Sequence, residues 1–167
     1  MEFDARSPGC RESLAAGYNV AMRILLVNGP NLNALGTREP EIYGSMTLPD
    51  IERMVAERAS AAGAEIRAFQ ANSEGQIIDW LQAEVGGADG LIINGGALTH
   101  YSVALSDAVK DAAIPAIEVH ISNVWKREPF RHESLLSPVC VGVIAGLGVR
   151  GYVLALDALV DMLKGSH

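Results

Sequence analysis

Apolar and polar positions along the chain follow two periods, and the switches between them mark the elements. Short, nearly continuous apolar runs at 23–28, 64–70, 90–94, 116–120 and 139–145 predict strands. Between these runs the apolar residues recur at helical spacing. Ile51, Met54, Val55 and Ala59 share one face of a segment that opens with Thr47-Leu48-Pro49-Asp50. Thr47 reads as an N-cap, with an acid following and Pro in the first turn, and Gly63 stops the helix after about Ala62. Ile77, Ile78, Leu81 and Val85 mark a second helix that ends at Gly86-Gly87. A third helix is predicted over 102–113, closed before Pro115, and a last one ends near Lys164.

Strands and helices therefore alternate, with a long loop at 121–138 between the fourth and fifth strands. Runs this apolar imply strands buried on both faces, which means a parallel sheet sandwiched by helices. The predicted architecture is a flavodoxin-like, doubly wound, five-stranded parallel α/β sheet. At 167 residues the chain is expected to form one domain, large enough to bury roughly 68–70% of its unfolded surface. That domain is placed at 22–165. Residues 1–21 are mixed in charge, aperiodic and without the apolar core of a secretory signal, so they read as a vector-derived or upstream extension. Ser166-His167 reads likewise as foreign.

The net charge of −7 argues against nucleic acid, which needs clustered Lys and Arg. It leaves room for an anionic small molecule, since a few local arginines decide that. Two cysteines, Cys10 in the N-terminal stretch and Cys140 in a strand-like run, form neither a CxxC pair nor a Cys/His ligand pattern. A metal site and a disulfide framework are not expected, and a reducing cytoplasm fits. No apolar stretch approaches the roughly 20 residues that span a bilayer, so no membrane partner is expected.

The first strand is followed by NGPNLNALGTREPEIYG at 28–44, far longer than the usual connection of about two to six residues. It holds Asn31, Arg38 and Tyr43 between glycines that can serve as pivots, and it reads as a polar lid. In a doubly wound sheet, ligands bind beyond the carboxyl ends of the strands. There the first strand delivers Asn28 and Asn31, the third Asn94 and His100, and the fourth Glu118, His120 and Ser122, followed by Arg127 and Arg131.

Each residue has a chemical reading and a plainer one. Tyr43 can act as a base only if a cation such as Arg38 stabilises its phenolate, since a free phenol titrates near pH 10; otherwise it is surface. Glu118 and His120 share a strand face, so Glu118 can hold one imidazole nitrogen while the other faces a ligand, as a general acid requires. Spacing alone does not separate this from a histidine satisfied by backbone. His100, at the start of a predicted helix, reads alternatively as a simple capping or packing residue. Asn28, Asn31, Asn33 and Asn94 suit a hydroxyl-rich ligand or a held water, or they form turns. Arg127 and Arg131 can clamp a carboxylate, or they belong to a solvated face with Glu128 and Glu133.

GLGVRG at 146–151 matches the dinucleotide fingerprint G-x-G-x-x-G, but it follows the fifth strand with too little chain left for another strand–helix–strand unit. These glycines read as close helix–sheet packing, and NAD is not expected. Lys110, Lys126 and Lys164 all lie away from strand ends, where a Schiff-base lysine belongs. There is neither a G-x-S-x-G elbow nor a P-loop. What remains is acid–base chemistry with no cofactor.

The stretches NGPNLNALGTREPEIYG, NSEGQIIDWL, IINGGALTHYSVALSDA, IEVHISN and REPFRHESLLSPV…GVIAGLGVRGY resemble type II 3-dehydroquinate dehydratase, a lyase of the shikimate pathway that leads to chorismate and the aromatic amino acids. The resemblance runs from about Arg23 to Lys164. Ala34 stands where the family favours a leucine-like residue, outside the catalytic positions. The resemblance implies trans-elimination of water from 3-dehydroquinate through an enolate. Tyr43 would be the base, Arg38 its cationic support, Asn31 the holder of an ordered water, and His120 the acid. Asn94, His100, Ile121, Ser122 and Arg131 would position substrate. Asp107 would reach a neighbouring subunit's site in a dodecamer of trimers.

Two non-enzymatic readings compete. A nucleotide- or phosphate-binding module of the same fold would need backbone N–H groups after the first strand, where Pro30 removes one. A signalling receiver would need acids at the ends of the first and third strands, where Asn28 and Asn94 stand.

Overall fold

The computed structural model describes residues 22–37 and 45–165. Its elements follow the chain as β1 (Met22–Asn28), α1 (Leu48–Ala62), β2 (Ala64–Gln70), α2 (Glu74–Glu84), β3 (Gly90–Asn94), α3 (Val103–Asp111), β4 (Ala116–His120), β5 (Gly142–Ala145) and α4 (Arg150–Leu163). The strands form one sheet in the order β2-β1-β3-β4-β5, with every pairing parallel. This is the flavodoxin-like doubly wound arrangement.

Local chemistry accounts for the helix ends. Thr47 and Asp50 form a reciprocal capping box at the start of α1, and Gly63 closes the helix in the left-handed conformation with φ 79°. Ser102 caps α3 through its hydroxyl, which accepts from the Leu105 N–H at 2.8 Å. Ser102 is thus outside the helix predicted at 102–113, which also ends earlier, because Ala113 takes a positive φ. Val85 lies in a 3₁₀ turn after α2 and is only half-buried.

Alternation along the strands divides the core between two faces. Ile24, Leu26, Ile92, Ile117 and Val119 pack under α1 and α4 against Ile51, Val55, Tyr152, Leu156 and Leu159. Leu25, Val27, Leu91 and Ile93 pack under α2 and α3 against Ile77, Leu81, Leu105 and Val109. Burying such a side chain contributes about 1.5–3 kcal/mol, so both layers hold the strand ends rigidly.

The fifth strand is shorter than predicted. Ser137–Val139 forms a 3₁₀ turn containing Pro138, and pairing with β4 begins only where the Val141 N–H reaches the Ala116 carbonyl at 2.8 Å. Cys140 therefore precedes the strand. The 121–138 loop contains two further 3₁₀ turns, Val124–Lys126 and Pro129–Arg131. Among the described residues, no helix is long and apolar enough to cross a membrane.

Candidate active site

With this strand order the connections leaving β1 and β3 diverge, and a crevice opens at their carboxyl ends. The register sets Asn28 beside Asn94 there. The Gly29 N–H donates to the Asn94 carbonyl at 2.8 Å, and a side-chain carbon on Gly29 would meet the Gly95 carbonyl at 2.3 Å, so only glycine fits. Asn31 follows in the left-handed conformation, φ 68°. Its N–H donates to Asn72 Oδ1 at 2.9 Å, and Gln70 Nε2 donates to the same oxygen at 3.1 Å. The end of β2 thereby braces the start of the long loop.

Asn31, Asn94, His100, His120, Ile121, Ser122, Arg127 and Arg131 line one cleft, with Leu32, Leu35 and Val124 as its apolar wall. His120 lies at its floor. Its Nε2–H donates to Glu118 Oε1 at 2.7 Å, and the Glu118 side chain is wholly buried. Glu118 Oε1 also accepts from Ser134 Oγ at 2.8 Å, and Oε2 accepts from Ser134 at 3.1 Å and Ser137 at 2.5 Å. Burial pushes the Glu118 carboxyl up, but the bonds from His120, Ser137 and Ser134, with the imidazole charge, outweigh it and hold the group below its ordinary value.

Across the cleft, the His100 Nδ1–H donates to the Glu133 carbonyl at 2.6 Å, which leaves its Nε2 for other partners. The His100 and His120 rings lie nearly parallel, 6.3 Å apart. His100 ends the 3₁₀ turn Gly96–His100 and does not cap α3. Glu128 pairs with Arg131 Nε at 2.9 Å and with Arg127 Nε at 3.4 Å, so one carboxylate gathers both guanidinium groups at the mouth of the cleft.

Two of the four asparagines do not serve the cleft as expected. Asn28 is buried on the α4 face, where its Oδ1 accepts from the Tyr152 hydroxyl at 2.8 Å. Asn94 Nδ2 donates to that same hydroxyl at 2.8 Å, and Asn94 Oδ1 accepts from the Gly96 N–H at 3.2 Å. Asn33 is exposed in a 3₁₀ turn and is not part of the lining.

The glycine run at 146–151 also divides. A side-chain carbon on Gly151 would meet Ile144 and Val119 at 3.4 Å, the expected close helix–sheet approach, whereas Gly146 and Gly148 take positive φ in the turn before α4. Burial raises the Tyr152 phenol far above its ordinary value, which makes it a fixed hydrogen-bonding group and no base. Burial, aided by the Glu118 charge, raises the Cys140 thiol to about 12, so it stays protonated.

Residues 22–160 match the family described as Dehydroquinase class II. A 3-dehydroquinate dehydratase of Roseiflexus castenholzii is 58% identical over 83% of this chain and 88% of its own length. One from Herminiimonas arsenicoxydans is 57% identical over 86% of this chain and 100% of its own. The chain belongs to the class II dehydroquinase family.

Its fold agrees with that membership. The crystal structure of the type II dehydroquinase from Butyrivibrio crossotus, 48% identical, superposes with a TM-score of 0.81 over 83% of this chain and 97% of that one. The cleft unites eight of the residues singled out in the sequence, with Glu118 directly behind His120. Asp107 is exposed on α3 and takes no part in the lining of its own cleft. Arg38 and Tyr43 lie outside the described residues. Ser134, Ser137, Asn72 and Tyr152 were missed by sequence reasoning. The first three sit in loops where local pattern assigns no partner, and Tyr152 occupies an ordinary apolar helix position. Among the described residues, no group of His, Cys, Asp and Glu is placed to hold a metal ion.

Proposed function

We propose that this chain dehydrates 3-dehydroquinate to 3-dehydroshikimate in the shikimate pathway, as a hydro-lyase whose acid is His120. The observation that carries this reading is the buried Glu118–His120 pair at the floor of a cleft with two arginines at its mouth, in a member of the class II dehydroquinase family. Family membership favours catalysis over a passive binding module or a receiver.

In this reading Tyr43 removes the proton beside the ketone, with Arg38 favouring the phenolate through its charge. The resulting enolate is stabilised by a water held at Asn31. His120 then gives its Nδ1 proton to the departing hydroxyl, and Glu118 stabilises the imidazolium that makes this transfer easy. Arg131 and Arg127 bind the substrate carboxylate, with Ser122, the Ile121 backbone, Asn94 and His100 ordering the ring and its hydroxyls. Glu128 already aligns the two arginines, so less ordering remains for the substrate to impose.

The same reading treats 22–165 as the catalytic domain, placed in the cytoplasm. It treats the active form as a homo-oligomer, a dodecamer of trimers, in which Asp107 serves a neighbour's cleft. The exposure of Asp107 away from its own cleft supports that assignment. The deciding experiment adds 3-dehydroquinate to purified protein and follows ultraviolet absorbance. Growth of the enone band of the product supports the reading, and a flat trace with folded protein overturns it.

A further inference from the structure

The Glu118 carboxylate holds more donors than the imidazole alone. Three donors converge on it: His120 Nε2–H on Oε1, Ser137 Oγ–H on Oε2, and the single Ser134 Oγ–H shared between the two oxygens. The Ser134 hydroxyl cannot turn away. Its oxygen accepts from the Leu136 N–H at 3.0 Å and the Ser137 N–H at 2.9 Å, which occupies its lone pairs and directs its proton at Glu118. Both hydroxyls keep donating whether the shared proton sits on Oε1 or on Nε2, but they bond an anionic carboxylate more strongly than a neutral one, and in this wholly buried site that favours the anion.

We propose that Ser134 and Ser137 are positioning residues of the acid, holding the proton shared by Glu118 and His120 on the imidazole. The inference rests on the reading of His120 as the acid. The location of that proton decides the chemistry. With Glu118 anionic and His120 an imidazolium, Nδ1–H is a competent acid near neutral pH. With the proton on Glu118, the same Nδ1–H belongs to a neutral imidazole and is a far weaker one. Both arrangements have the same net charge and nearly the same geometry, so the hydroxyl dipoles select between them.

The serines also tie the site together. They lie on the stretch that bonds the 3₁₀ turn Gly96–His100, through His100 Nδ1 to the Glu133 carbonyl and the Leu135 N–H to the Thr99 carbonyl at 2.8 Å. The other titratable or charged groups around the pair, among the described residues, are His100 on that turn, Cys140 ahead of β5, and Arg127 and Arg131 on the cleft wall. None of them reaches a Glu118 oxygen in place of the serines.

The test compares Ser134→Ala, Ser137→Ala, the double variant and Ser134→Thr in full-length protein. Two readouts are taken: ¹⁵N shifts of the His120 ring across pH, and kcat and KM for 3-dehydroquinate. In the double variant the ¹⁵N signals are expected to lose imidazolium character in the protonated pair. Its kcat is expected to fall about 10- to 100-fold, at most the lower end of the roughly 10²–10⁴-fold that a general acid supplies because His120 itself remains, with KM within about twofold. Ser134→Thr retains the hydroxyl and is expected to restore both readouts. Unchanged ¹⁵N shifts in the folded double variant, or in Ser137→Ala if the double variant does not fold, overturn the proposal. So does a loss confined to KM. Full activity in His120→Asn would remove the acid assignment instead, while the ring titration in the serine variants still reports where the proton sits.

Discussion

The Tyr152 hydroxyl stands 2.8 Å from Asn94 Nδ2 and 2.8 Å from Asn28 Oδ1, linking the ends of β1 and β3 beneath the cleft. It accepts from one amide and donates to the other, and together with the Gly96 N–H, which requires Oδ1 on its side, it holds the Asn94 side chain in one orientation. Asn94 in turn is one of the residues that line the cleft. A helix residue far along the chain thus orients a group that the proposed chemistry uses.

Tyr152→Phe is expected to leave Asn94 Nδ2 and Asn28 Oδ1 without that partner in a buried setting, a cost of about 1–3 kcal/mol. Urea unfolding should show this loss, and KM should rise as Asn94 loses its fixed orientation. Unchanged stability together with unchanged KM would refute the role of this hydroxyl.

Glu118→Gln tests the electrostatics of the acid. Removing the carboxylate charge lowers the affinity of His120 for its proton, so the alkaline limb of the kcat profile should move to lower pH. Stability carries a second signature. The Glu118 carboxyl is held below its ordinary value of 4.5, so its contribution is complete above that pH and is lost as pH falls through the lowered native value. The stability gap between wild type and Glu118→Gln should therefore narrow on acidification below about pH 4.5. A gap independent of pH, with an unmoved kcat profile, would leave Glu118 a purely structural role.

Tyr43→Phe keeps the aromatic ring and removes the proposed base. Turnover should drop by about 10²–10⁴-fold, while substrate still protects the protein against thermal unfolding. Near wild-type kcat would move the base elsewhere.

Asp107→Ala addresses assembly. If this exposed carboxylate completes a neighbour's cleft, the variant should show a raised KM and a weaker oligomer together. Analytical ultracentrifugation and kinetics over one dilution series measure both. A fully active monomer, or a variant unchanged in both respects, would end the shared-site idea.

The sequence by itself determined whatever depends on local periodicity and end signals. Four strands and the capped α1 were legible, because Thr47, Asp50 and Gly63 act on their own backbone neighbours. The edge where the polar residues gather was legible too, because a parallel sheet brings every strand's carboxyl end to one side. Tertiary structure decided which of those residues face the cleft and what holds them. Asn28 looked like a ligand contact, but it shares the strand face of Ile24 and Leu26 and so falls under α4, beside a phenol more than a hundred residues away. The fifth strand lost its first residues because Pro138 sits in a 3₁₀ turn, and no apolar count distinguishes that from a ladder not yet begun. Ser134 and Ser137 carry no pattern at all. Their hydroxyls matter only because the loop after β4 folds back over Glu118, where a buried charge must find its donors nearby.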